Sequence, residues 1–199
     1  MNQVLRTLLL PGLVSVITST PVTAADDVPR EELNYVGILA TALEHRGVGT
    51  VTEEEVWSSA ATLVVGGHIT DLFHAELRAG GGYKDATVEG LALSVDYFAS
   101  WYLGMHYPLT DYANVYGQFG FSYISGEAEL ANPDAAENRQ FSYLEGDYPD
   151  SSFSVSWLAG MDVEILSNTY LVLEGGRLFK DTGSDVNTFQ FSGGLRYEF

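Results

Sequence analysis

The side chains of this chain that could do chemistry are few and scattered. Its four histidines are His45, His68, His74 and His106, and it has no cysteine. A metal centre wants two or three imidazoles at close spacing. Only His68 and His74 are near in sequence, on either side of a turn around Thr70-Asp71. A nucleophilic Ser-His-carboxylate set needs its members within hydrogen-bond reach. No His-x-Ser occurs, and His106 runs directly into Tyr107-Pro108. Carboxylates are abundant and crowd between Ser125 and Ser152, where Glu127, Glu129, Asp134, Glu137, Glu145, Asp147 and Asp150 are opposed by Arg139 alone. Asp147 and Asp150 are oxygen donors of the kind Ca²⁺ takes, but their spacing matches no recognised calcium loop. These residues imply no metal, no cofactor and no catalytic residue.

The elements that position these groups are read from hydropathy alternation. In the last eleven residues, Phe189, Phe191, Gly193, Leu195, Tyr197 and Phe199 alternate with Gln190, Ser192, Gly194, Arg196 and Glu198. Period two means a strand with one apolar and one polar face. Aromatic residues on a terminal strand are a liability in water, because ends fray and sheet edges aggregate. In a closed barrel set in lipid, the strand has two neighbours and its apolar face has a solvent.

At the other end, residues 1–25 hold Arg6, an apolar run from Leu8 to Ile17 and then Val22-Thr23-Ala24-Ala25. That order predicts a secretory signal peptide cut after Ala24 or Ala25. The expected organisation is therefore 1–25 signal peptide and 26–199 barrel domain. The mature part carries 8 Lys+Arg against 27 Asp+Glu, a net charge of −19. Nucleic acid is excluded as a partner, since phosphates need clustered Lys and Arg. No mature stretch offers about 18 uninterrupted apolar residues, so spanning helices are excluded and a membrane protein must be a barrel. The 174 residues after Ala25 suit eight strands of roughly 9–11 residues with their connections, and not sixteen.

Strands are expected over about 34–43, 57–69, 73–83, 91–107, 113–124, 153–165, 169–179 and the terminus, with short connections at 68–72, 108–112 and 166–169 alternating with longer ones. Short periplasmic turns and long external loops predict this order. Trp57, Tyr83, Tyr107, Tyr112, Phe153, Tyr170 and Phe179 fall near strand ends, where interfacial girdles lie. The polar parity assigns Glu76, Arg78, Asp96, Tyr102, Gln118, Asp162, Glu164, Arg196 and Glu198 to the lumen. An eight-stranded lumen has room only for side chains, so these must satisfy one another. Glu174 and Arg177 differ in parity, and a bulge at Gly175-Gly176 would reconcile them. A soluble lipocalin-like barrel with its apolar side inward is the rival architecture.

Tyr107-Pro108-Leu109-Thr110-Asp111, the following Val115-Tyr116-Gly117-Gln118-Phe119-Gly120, and above all Leu195-Arg196-Tyr197-Glu198-Phe199 resemble the small outer-membrane β-barrels of the OmpA/OmpX-like superfamily, the porin-family outer-membrane β-barrel domain. The resemblance covers the mature chain, mostly as patterning. It implies an all-β, eight-stranded antiparallel up-and-down transmembrane barrel in a Gram-negative outer membrane. It also implies that Leu195, Tyr197 and Phe199 are read by the barrel-assembly machinery, and that the peptidoglycan-binding domain of larger relatives is absent. The expected role is structural or surface-interactive: envelope integrity, or adhesion through the acidic loop, with outer-membrane lipid and lipopolysaccharide as neighbours and the external ligand unknown. The alternatives are a narrow ion channel and a lipid A-modifying membrane enzyme.

Overall fold

A computed structural model describes residues 29–199 except 52, 134 and 152. The expected signal peptide, Asp26, Asp27, Asp134 and the side chain of Glu137 lie outside the described residues. Among the described residues ten strands follow one another: β1 Asn34–Val48, β2 Glu54–His68, β3 Phe73–Lys84, β4 Ala86–Val88, β5 Leu91–Thr110, β6 Ala113–Leu130, β7 Gly146–Tyr148, β8 Ser154–Leu166, β9 Thr169–Lys180 and β10 Asn187–Glu198. Eight of them close a ring, β1-β2-β3-β5-β6-β8-β9-β10 and back to β1, with every neighbour antiparallel. The short β4 and β7 prolong the wall in line with β3 and β8, pairing β5 and β6 beyond the ends of those strands. Closure removes the sheet edges that a hydrocarbon environment would leave unsatisfied.

The alternation sorts side chains across the wall. Ile38, Leu77 and Phe119 are each about three-fifths exposed on the outer face (60%, 60% and 59%). Their sequence neighbours Leu39, Arg78 and Gln118 are buried inside. The outer face is apolar along the strands, and lipid is its solvent. Trp57, Tyr83, Tyr97, Tyr123 and Phe153 crowd one end of this face, and Phe73, Tyr107, Tyr112, Tyr197 and Phe199 the end that carries the termini. The terminal end has the tight turns at 69–72, 111–112 and 167–168, and is the periplasmic one by turn length.

Several expected boundaries and facings differ. Strands β1 and β2 extend through most of the expected 44–56 loop and leave only 49–53 as a turn, while β6 runs on to Leu130. Glu127 and Glu129 thus stand on a strand above the membrane rather than in a free loop. The Pro108-Asp111 turn is displaced, because β5 continues to Thr110 with a bulge between Pro108 and Thr110. A second bulge between Val95 and Tyr97 inverts the parity of β5. Leu91, Leu93 and Val95 therefore point inward, Phe98 is an interior residue, and Asp96 is exposed. The assignment of Asp96 to the lumen is corrected by that single extra residue. In β9 the irregularity falls opposite Thr188 and Phe189, at Leu178, not at Gly175-Gly176. Arg177 pairs with outward Trp157 and Phe189, whereas Leu178 and Phe179 are both buried. Phe179 and the inward Tyr170, whose ring lies under the Arg196 guanidinium, accordingly leave the girdle.

Candidate functional site

The lumen is built in layers. At the periplasmic end two buried arginines meet four buried carboxylates. Arg78 on β3 bonds Glu76 through Nε and Glu174 of β9 through Nη1, with a further Nη2 contact to Glu174 at 2.9 Å. The hydroxyl of Tyr35 donates to Glu76 at 3.0 Å and that of Tyr116 to Glu174 at 2.7 Å. Arg196 bonds Asp162 at 3.0 Å and Glu198 at 3.1 Å. The ring of Tyr35 lies 4.9 Å beneath its guanidinium. Charges taken out of water persist only when paired and hydrogen-bonded. Here each arginine is held between two acids drawn from different strands, and the Arg78–Glu174 pair ties β3 to β9 on the opposite wall of the barrel.

Glycines make room for the inward rings. A Cβ on Gly66 would stand 2.3 Å from Tyr35 Cζ, and one on Gly104 2.2 Å from His74 Nε2. No side chain fits at either position while those rings keep their places.

The middle of the lumen is a small hydroxyl layer. Thr41 lies 2.8 Å from Thr62 and 3.0 Å from Ser192, and Ser100 lies 2.7 Å from Ser122. Above it the interior turns apolar, with Leu43, Ala60, Val95, Phe98, Ile124, Leu178 and Phe179 in one cluster. At the external end Val48, Leu91, Leu93, Phe141, Leu144, Tyr148 and Val186 form a second apolar cluster. Phe141 and Leu144 come from the 131–153 connection, which folds inward over the mouth and carries a 3-10 turn over Ala136–Phe141.

Asp181 holds that connection down. Its carboxylate accepts from Ser151 N–H at 3.0 Å and Oγ at 2.8 Å, and from Ser184 Oγ at 2.5 Å. Burial opposes its charge, but the bonds from Ser184, Ser151 and Gly183 prevail and keep its pKa below the usual carboxylate range.

The structure thus brings Glu76, Arg78, Asp162, Arg196 and Glu198 together inside, with Tyr102 and Gln118. Glu164 is half-buried at the periplasmic mouth and accepts the backbone N–H of Asn168 at 3.1 Å. Leu195, Tyr197 and Phe199 all face outward, with the rings of Tyr197 and Phe199 stacked at 6.3 Å. Glu127, Glu129, Glu145, Asp147 and Asp150 are exposed. Sequence reasoning missed Glu174, Tyr35, Tyr116 and Asp181. Glu174 shares its parity with Val172 and Gly176, opposite to Leu171 and Leu173, and that pattern was the signal for it.

Solved structures share this architecture at low identity. Ail, the attachment invasion locus protein of Yersinia pestis, solved in complex with the heparin analogue sucrose octasulfate, is 12% identical with a TM-score of 0.54, covering 83% of this chain and 99% of that one. Neisserial surface protein A is 16% identical with a TM-score of 0.55, covering 83% and 97%. The outer membrane protein OprG of Pseudomonas aeruginosa is 12% identical with a TM-score of 0.53, covering 84% and 95%. No curated protein sequence matches the chain. The profile of the family described as outer membrane protein beta-barrel domain matches residues 13–199. A closed eight-stranded wall, an apolar outer face and a family match over nearly the whole length make this chain a member of the outer membrane protein β-barrel domain family, a transmembrane barrel of the Gram-negative envelope.

Proposed function

We propose that the protein serves the outer membrane as a closed, structural barrel whose external cap is a contact surface for cations and cationic ligands. The observation that carries this reading is the apolar seal. Conduction requires a hydrated or charged path, and two successive apolar clusters occupy the external half of the lumen. That argues against the narrow-channel alternative.

Above the seal, exposed Glu127, Glu129, Glu145 and Asp147 border a shallow cleft of about 400 Å³. Glu127 stands directly across from Asp147 in the β6–β7 register. Facing like charges repel, so a cation or cationic group between them relieves the repulsion. Divalent ions shared with neighbouring lipopolysaccharide phosphates are one source of that relief. On the lipid side, Arg46, Arg177 and Lys180 lie around Phe189 near the external end, and Arg46 sits 4.5 Å over its ring. These cations suit lipopolysaccharide phosphates. The heparin analogue held by Ail is a polyanion. The external cap here has the opposite charge, so that ligand class does not carry across.

Two measurements test the reading. Refolded protein in planar bilayers is expected to give no stable conductance, and reproducible ion-selective openings would overturn the closed lumen. Neutralising the cap with E127Q, E129Q, E145Q and D147N is expected to lower binding of cells to cationic surfaces. Unchanged binding would sink the contact role. Substitution is preferable to deleting the connection, because deletion removes Phe141 and Leu144 from the seal.

A further inference from the structure

His68, His74 and His106, spread over 38 sequence positions, meet at the periplasmic end of the lumen. His68 ends β2 and His74 lies directly across from it on β3, while His106 projects from β5. Their ring centroids are 5.2 Å apart for His68 and His106, 5.6 Å for His74 and His106, and 6.2 Å for His68 and His74. The Nδ1 atoms of His74 and His106 are 3.4 Å apart. Around a tetrahedral Zn²⁺ with Zn–N near 2.0–2.1 Å, donor nitrogens stand about 3.4 Å apart and ring centroids about 5.3 Å apart. The three rings already have that spacing within about 1 Å.

Two further observations point to a cation. His68 Nδ1 is buried with no hydrogen-bond partner, an arrangement that calls for a missing partner. His68 Nε2 lies 3.3 Å from Glu198, which orients a ring as outer carboxylates orient metal-bound imidazoles and leaves Nδ1 as the free donor. The surrounding charge also suits a dication. Arg78 and Arg196 face Glu76, Glu174, Asp162 and Glu198, leaving two negative charges, of which Arg30 at the mouth offsets one.

We propose that His68, His74 and His106 form a latent tri-histidine site for a borderline divalent transition ion, Zn²⁺ being the type case, entered from the periplasmic mouth. Among the described residues no three His, Cys, Asp or Glu side chains are placed to hold a metal ion as they stand, so the rings must rotate to complete the site. The ion displaces the proton from the His74–His106 contact to His74 Nε2. Gln118, now donating there at 2.7 Å, turns its amide oxygen to receive it. That turn gives up two 3.3 Å contacts, to Arg78 and Glu76. Water fills the fourth position.

The test is calorimetric titration of ZnCl₂ into the untagged, refolded full-length mature barrel in detergent micelles. One ion per barrel is expected, with binding at least tenfold weaker in H68Q and in H106Q. E198Q is expected to weaken it about tenfold through the outer carboxylate. H45Q alters a buried histidine at the external end, bonded to Ser58, Tyr148 and Thr188, and is expected to leave uptake unchanged. Heat-modifiable mobility of each variant separates lost binding from lost folding. If H68Q or H106Q does not fold, the E198Q weakening and the unchanged H45Q variant carry the test. No uptake by the native barrel, uptake unaltered in folded H68Q, H106Q or E198Q, or uptake lost in folded H45Q would each overturn the proposal.

Discussion

The backbone of Asn34 donates to Phe199 at 2.9 Å and accepts from it at 2.8 Å, so the two ends of the barrel wall are stitched to each other. The same seam continues along β1 and β10, from Tyr35 opposite Glu198 to Arg46 opposite Asn187. The side chain of Phe199 stands outside this exchange, exposed beside Tyr197.

Removing Phe199 is therefore expected to cost about 2 kcal/mol, at roughly 1 kcal/mol for each lost bond. Urea unfolding in detergent measures it. F199A keeps both backbone bonds and is expected to refold normally in vitro while reaching the outer membrane poorly in cells. Normal insertion of F199A would show that the assembly machinery does not read this ring.

Arg78 is the centre of the periplasmic charge cluster, bonded to Glu76 and Glu174. E174A is expected to destabilise the barrel by about 3–5 kcal/mol, the usual result of stripping one partner from a buried pair. R78M should cost more, since it leaves two carboxylates facing each other without a cation. Equal losses in the two variants, followed by tryptophan fluorescence during urea unfolding, would refute the ordering.

Asp181 holds the external connection through hydrogen bonds to its charged form. Its folded pKa lies below the usual value of 3.8, so the contribution is complete above that value. It is lost as pH falls through the lower folded pKa. Protease protection of residues 131–153 is expected to persist from neutral pH to about 4 and to fail below. D181N should be more easily cleaved at every pH, and its protection should not change across this acid range.

Gly66 lies beneath the ring whose hydroxyl reaches Glu76. G66A is expected to cost about 1–3 kcal/mol by displacing Tyr35. At Gly117 an added Cβ meets nothing within 4 Å, and G117A is expected to be neutral. The paired variants distinguish a steric cause from a general intolerance of strand glycines.

Much of the wall is legible in the order of residues along the chain. The alternation of Phe73, Leu77 and Ala79 against His74, Glu76 and Arg78 divides the side chains of β3 between two faces without further information, because successive side chains of a strand must point to opposite faces. The same rule fails at Asp96 and at Phe179. A bulge adds one residue to one strand of a pair, and whether it forms depends on the partner strand across the ladder. The lumen is half legible: Glu76, Arg78, Asp162, Arg196 and Glu198 announce themselves by parity, while Glu174 is lost to the ambiguous register of β9.

Local pattern along the chain determined the class of fold and the acidity of its long connection, since each depends on residues next to one another in sequence, while alternation alone left open whether the apolar face is the outer one. Only closure of the barrel decided which groups meet across it. The pairing of Arg78 with Glu174 joins β3 to β9, the meeting of His68 and His74 with His106 joins three strands, and the seating of Phe141 and Leu144 joins a connection to the mouth beneath it. Those contacts depend on ring size and strand stagger, which are properties of the whole sheet and are written in no single segment.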